Sequence, residues 1–253
     1  MSDSGATGIR LFDAHAYLGR FPSLEVGNGT ADELIADMDR LGIERALVTH
    51  TSSKLYDPAF GNELIGNVIA NQPRLVGCWA ILPQNCGELP RPGDLVTRAF
   101  DRRIVAFRAF PATHGYELDD PGMRGILASV AAAGLPVMVD ADETTWRTVD
   151  RVAGDQPQLS LVISLVGYRQ LRAVADLLDR RSNVNFDLSN LATHRGLEWL
   201  VQRFGPSRLI FGTGAPLRDG AEAVARLLWS DLEDESIRAI GSENLIRLTG
   251  SVA

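Results

Sequence analysis

Histidine occurs four times in this chain and lysine once, so the groups able to move protons or carry a reactive amine can be followed one by one. His15 and Tyr17 stand two apart in Phe12-Asp13-Ala14-His15-Ala16-Tyr17-Leu18, and on an extended strand such positions share a face. An imidazole there could act as acid, base or hydrogen-bond donor, and a phenol beside it could donate to an oxyanion or carboxylate. The plainer alternatives are a histidine satisfied by a backbone carbonyl and a tyrosine that simply fills the core. His50 closes Leu47-Val48-Thr49-His50 and faces either a cavity or solvent. Arg108 sits in the apolar stretch Val105-Ala106-Phe107-Arg108-Ala109-Phe110-Pro111. A guanidinium there must be paired, either with a carboxylate such as Asp140 or with an anionic substrate held in bidentate fashion, and the two roles are compatible. Asp140 ends Val137-Met138-Val139-Asp140. Asp142 is the better cap for a helix starting near Thr144, which leaves Asp140 aimed at the site. His15, Asp140, Tyr17 and His50 are therefore the catalytic candidates, with Arg108 and Trp79 as substrate-binding ones. His114 and Tyr116 read as loop-ordering residues, and His194 as an exposed one at the front of a helix. Lys54 lies in the loop-like Thr-Ser-Ser-Lys-Leu-Tyr, a poor setting for Schiff-base or carbamylated-lysine chemistry.

The elements that must carry these residues are eight short β-rich apolar runs: 9–14, 45–50, 75–81, 104–109, 136–140, 159–165, 183–187 and 208–213. Each is followed by a stretch of helical period, which is the βα alternation of a parallel sheet. In 121–133, Met123, Ile126, Leu127 and Val130 form one stripe; in 169–180, Leu171, Val174, Leu177 and Leu178 do the same. Eight βα units predict a single α/β domain over 1–253, a (β/α)8 TIM-type barrel whose functional groups gather at the C-terminal strand ends. A doubly wound open sheet is the alternative, although the first strand–helix junction lacks a glycine-rich phosphate turn. Residues 82–95 form the one long irregular stretch and are expected to overhang the catalytic face.

Composition narrows the function. With 253 residues, 45% hydrophobic and 23% charged, the chain is an ordinary globular sequence able to bury a large core. A net charge of −7 argues against nucleic acid as a partner. No apolar run approaches a membrane span and the opening residues lack a signal-peptide plan, so a soluble cytoplasmic protein is expected. Cys78 and Cys86 suggest neither a disulfide framework nor structural zinc.

Several segments, in order and spacing, resemble the amidohydrolase-related family of metal-dependent hydrolases. They are Phe12 to Gly19, Leu41 to Val48, His114-Gly115-Tyr116-Glu117-Leu118-Asp119-Asp120-Pro121, Gly134-Leu135-Pro136-Val137-Met138-Val139, Leu209-Ile210-Phe211-Gly212-Thr213 and Glu243 to Gly250. The resemblance implies a (β/α)8 barrel with a divalent metal at its C-terminal mouth, held by imidazoles and a carboxylate. It also makes Asp187 and Ser189 pocket-lining, substrate-binding residues. The ligand set, however, is broken. The His-x-His pair reads His15-Ala16-Tyr17, the fifth-strand histidine is Asp140, the sixth-strand histidine is Leu165, and the eighth-strand aspartate is Gly214. Leucine and glycine offer no donor atom. The expectation is a metal-independent enzyme, with no cofactor, that hydrolyses a lactone or amide-type bond, or runs a related lyase or isomerase step. Its substrate would be a small, anionic, carboxylated cyclic or aromatic compound. The alternative is a catalytically dead barrel that binds a small molecule or a protein partner. Homo-oligomerisation is left open.

Overall fold

Eight parallel strands pair in chain order in the computed structural model, which describes residues 8–22 and 29–250. They are β1 (Phe12–Leu18), β2 (Arg45–His50), β3 (Leu75–Ile81), β4 (Ile104–Ala109), β5 (Val137–Asp140), β6 (Leu161–Ser164), β7 (Val184–Asp187) and β8 (Leu209–Ile210). The residues after β8 return to β1 and close the sheet on itself. Ala14 N donates to the Phe211 carbonyl at 3.0 Å, Gly214 N to that of His15 at 2.8 Å, and Tyr17 N to that of Ala215 at 2.8 Å. This is the (β/α)8 barrel that the alternation of runs predicts.

Alternate side chains divide inside from outside. Leu47, Val76, Cys78, Ala106, Met138, Val162 and Ile210 fill the barrel together with Leu245 and Leu248 of the helix Asn244–Thr249, and a register shift between Asp13 and Ala16 of β1 lets Ala14 join them although His15 also faces inward. Val48, Trp79, Phe107, Val139, Ile163 and Phe186 point the other way, into the layer between strands and helices. The first helix, Ala31–Leu41, starts from a capping box in which Thr30 and Glu33 satisfy each other's backbone amides. It ends at Gly42, whose φ of 70° closes the last turn. Among the described residues no helix is long and apolar enough to cross a membrane.

Three expectations need correction. β1 runs on to Leu18, so His15 and Tyr17 lie within it and not at or beyond its end, because the return from 211–215 supplies ladder partners that far. The irregular stretch after β3 is shorter than 82–95: Gln84–Cys86 is a 3-10 turn and Pro92 already opens the helix Pro92–Asp101. Thr145, not Asp142, caps the helix Trp146–Asp155, its side chain accepting from Thr148 N. A threonine adjoining the first helical residue reaches that amide, whereas Asp142 is too far back along the chain.

Candidate active site

Inward-facing positions near the C-terminal strand ends are polar where the rest of the interior is apolar. β1 contributes His15 and Tyr17, β4 Arg108, β5 Asp140 and β7 Asp187, and each of these side chains is at most 2% exposed. Asp13, one turn of the pleat below His15, holds the seam of the barrel: it accepts from Thr213 N at 2.8 Å, from Thr213 Oγ1 at 2.5 Å and from His15 N at 2.9 Å. Burial pushes its carboxyl up, and those hydrogen bonds only partly offset the rise.

The charged groups form one chain of contacts. Asp187 Oδ2 is 3.1 Å from His15 Nδ1, and Asp187 Oδ1 accepts from Ser189 N at 2.9 Å and from Ser189 Oγ at 2.5 Å. His15 Nε2 lies 3.4 Å from Arg108 Nη1, which donates to Asp140 Oδ1 at 2.5 Å. Asp140 Oδ2 accepts from the Tyr17 hydroxyl at 3.2 Å and from Lys54 Nζ at 3.4 Å. Lys54 then reaches Glu143 at 2.8 Å, and Thr113 N and Oγ1 donate to Glu143 at 2.8 and 2.6 Å. Nδ1–H donates to Asp187, which leaves Nε2 directed at Arg108 and Asp140.

Each shift in acidity follows from a neighbour. Burial would raise Asp140, but Arg108, His15 and Lys54 together hold it below the usual carboxylate range. Burial would raise Asp187 too, yet His15, by charge and hydrogen bond, and the hydroxyls of Ser164 and Ser189 leave it well below. Tyr17 is pushed far up, first by burial and then by the Asp140 charge. Burial would lower Lys54, but Asp140 and Glu143 outweigh it and raise the ammonium above its ordinary value.

The structure thus brings His15, Tyr17, Arg108, Asp140, Asp187 and Ser189 into one cluster. It leaves out two of the expected residues. Trp79 is buried facing outward, because on β3 the neighbour Ala80 pairs with Arg108 and turns inward while Trp79 pairs with the outward Phe107. His50 uses Nδ1 to accept from Ser52 N at 3.1 Å, capping the helix Thr51–Leu55, and is half-buried. His114 orders its loop as expected, with Nε2 3.0 Å from the Lys54 carbonyl, and His194 is exposed. Sequence reasoning missed Lys54 and Glu143. The available signal was that a chain otherwise reliant on arginine places its only lysine just past the mouth end of β2.

Over the ionic cluster lies an apolar plug: Tyr17, Phe21, Phe110 and Ala80 pack together, and Phe110 is fully buried. Lys54, whose side chain is 16% exposed, is the member of the cluster nearest solvent. Arg108 Nε, buried, makes no hydrogen bond within the described residues.

A divalent metal does not fit this set. His15 Nε2 and Asp140 face each other with the Arg108 guanidinium against both, and like charges repel, while Asp187 is taken up on the Nδ1 side of the imidazole. Among the described residues no three of His, Cys, Asp or Glu form a metal-holding group. Gly214, in place of a carboxylate, takes φ 72° and donates its N–H to the His15 carbonyl.

Comparison with known proteins sets this geometry in context. A family model described as amidohydrolase matches residues 31–248. Similar solved structures include 2,6-dihydroxybenzoate decarboxylase from Rhizobium, with 14% identity, 96% of this chain and 98% of that chain covered, and a TM-score of 0.77. A 5-carboxyvanillate decarboxylase from Novosphingobium aromaticivorans, complexed with manganese and a nitrobenzoic acid, has 14% identity, 96% and 97% coverage, and a TM-score of 0.75. A probable 2-pyrone-4,6-dicarboxylic acid hydrolase from Acinetobacter baumannii, with citric acid bound, has 14% identity, 95% and 99% coverage, and a TM-score of 0.68. At such identities the likeness is one of fold. No curated protein sequence matches the chain.

Proposed function

The chain belongs to the amidohydrolase family, and on that premise we propose that it acts without a divalent metal on a small carboxylated cyclic or aromatic compound, Arg108 serving as a built-in cation. The observation that carries this reading is the Asp187–His15 dyad, with Nδ1 fixed on the carboxylate and Nε2 turned to Arg108 and Asp140. An imidazole held in this way is oriented to move a proton at Nε2, while Asp187 stabilises the imidazolium that forms. In hydrolysis of a lactone or amide-type bond, Nε2 takes the proton of the attacking water and returns it to the leaving oxygen or nitrogen. Arg108, with its spare Nε donor, meets the substrate carboxylate or the developing oxyanion, and the Tyr17 hydroxyl donates beside it. Lyase and isomerase steps need the same two parts, a proton-moving group and a cation. The relatives named above, two decarboxylases and a probable pyrone-dicarboxylate hydrolase, support a carboxylated ring as the substrate class. A merely structural core has little reason to keep such a cluster, since apolar residues of similar volume stabilise a protein as well as a buried ion pair or better.

Burial of Tyr17 and Phe110 favours a second reading, in which the barrel is catalytically dead and only binds. Substrate reaches His15 only when that plug parts. A screen of lactones, cyclic amides and aromatic acids with chelator-treated protein separates the two. Turnover in the parent, lost by roughly 10²- to 10⁴-fold in His15→Gln with the melting temperature preserved, is the expected result. Full turnover in His15→Gln contradicts the proposal, and binding without turnover supports the dead barrel.

A further inference from the structure

On the outside of the barrel, the helices Leu171–Arg180 and Gly196–Phe204 border a groove of about 840 Å³ whose walls include the exposed rings of Tyr168 and Trp199. Beside it, the helix Gly220–Leu228 ends at Trp229, which at 87% is the most exposed large hydrophobic side chain among the described residues. The turn after Trp229 is tied down: Asp231 pairs with Arg195 at 2.7 Å, and its N–H donates to Glu198 at 3.3 Å. Arg195 and Glu198 begin the helix that carries Trp199, so the groove and Trp229 are neighbours on one surface.

Their charges are opposite. The charged lining of the groove is Arg169, Arg172 and Arg203. Arg203 is tied to Asp179 at 2.8 Å, and Arg169 lies 5.3 Å from the centre of the Tyr168 ring. Neither Arg169 nor Arg172 pairs with an acid, and both are exposed. Trp229 is followed instead by Glu233, Asp234 and Glu235, all exposed and none of them paired with a base. A cationic groove walled by aromatic rings thus stands beside an anionic knob topped by a tryptophan. Within one chain the two leave each other unanswered, since Trp229 stays in solvent. Tryptophan, tyrosine and arginine are the side chains that dominate the binding energy of protein interfaces, and an exposed indole gains most from being buried in a pocket with apolar walls.

We propose that two copies of this chain associate about a two-fold axis, Trp229 of each seated in the groove of the other, with Glu233, Asp234 and Glu235 set against Arg169 and Arg172. A reciprocal contact of this kind closes on itself, so it stops at a dimer. The surface lies outside the barrel mouth and does not depend on the activity proposed above. Sedimentation of the full chain over a range of concentrations tests it. A dimer is expected, dissociating more readily as salt is raised. Trp229→Ala, at an exposed position, should weaken association by about thirtyfold or more, the effect of losing an interface anchor. Charge reversal gives the sharper result. The groove variant Arg169→Glu/Arg172→Glu and the knob variant Glu233→Arg/Glu235→Arg should each be monomeric alone while keeping the circular dichroism spectrum of the parent. Mixed in equal amounts they should form a dimer again, because every groove then meets a knob of opposite charge. A monomeric parent, a dimer unaffected by Trp229→Ala, or a mixture that stays monomeric overturns the proposal.

Discussion

Arg108 and Asp140 show why a buried charge is informative. A guanidinium inside an apolar strand needs an anion, few acids end strands, and the pairing of Arg108 with Asp140 is therefore legible from sequence. The structure adds that the same Arg108 nitrogen also faces His15 Nε2. Asp140→Asn leaves that cation without its main counter-charge and should cost about 3 to 5 kcal/mol in a urea titration. Much of the loss should return in the double variant with Arg108→Met; a loss within roughly 0.5 kcal/mol in the single variant, as at a surface site, contradicts the pairing. Acid stability gives an independent check. Asp187 has its folded value depressed, so its contribution is fully present above the unfolded aspartate value near ~3.9 and is lost as pH falls below it. Asp13, raised by burial, acts in the opposite sense, so the comparison is between parent and variant. Below about pH 4 the parent should lose stability with falling pH more steeply than Asp187→Asn; parallel slopes would show that Asp187 is not held down by His15. Being the lone lysine just past β2 singles Lys54 out, but its partners were not legible: the short helix Thr51–Leu55 brings its side chain to Asp140 and Glu143, and no local pattern announces that turn.

At the scale of elements, strand existence is easier to read than strand ends. Apolar runs mark all eight strands, but the extent of β1 depends on residues 211–215, nearly two hundred positions away, which hydrogen-bond to it. Facing is harder still. Trp79 looks like pocket lining in isolation, and only the pairing of Ala80 with Arg108 shows that it points outward. Caps are local and can be tested locally. Thr145→Ala removes the oxygen that accepts from Thr148 N and should lower stability by about 1 kcal/mol in denaturant midpoint experiments, whereas Asp142→Ala should change it little. The reverse order would restore Asp142 as the cap.

For the whole molecule, the alternation of runs and the order of the family-like segments made the barrel legible, while the state of its mouth was not. Whether that mouth is open depends on how Tyr17, Phe21 and Phe110 pack against one another, and each comes from a different part of the chain or a different turn of it. The broken ligand set could be read from Leu165 and Gly214, but the position of Arg108 between His15 and Asp140 could not, because it follows from closure of the strands into one ring. The central claim is that the guanidinium of Arg108 stands where a divalent ion has no fitting site. Elemental analysis of the purified protein tests it most directly: zinc, manganese and iron should each fall far below one per chain, whereas about one tightly held metal ion per chain, as a closed ligand set would retain, contradicts the account.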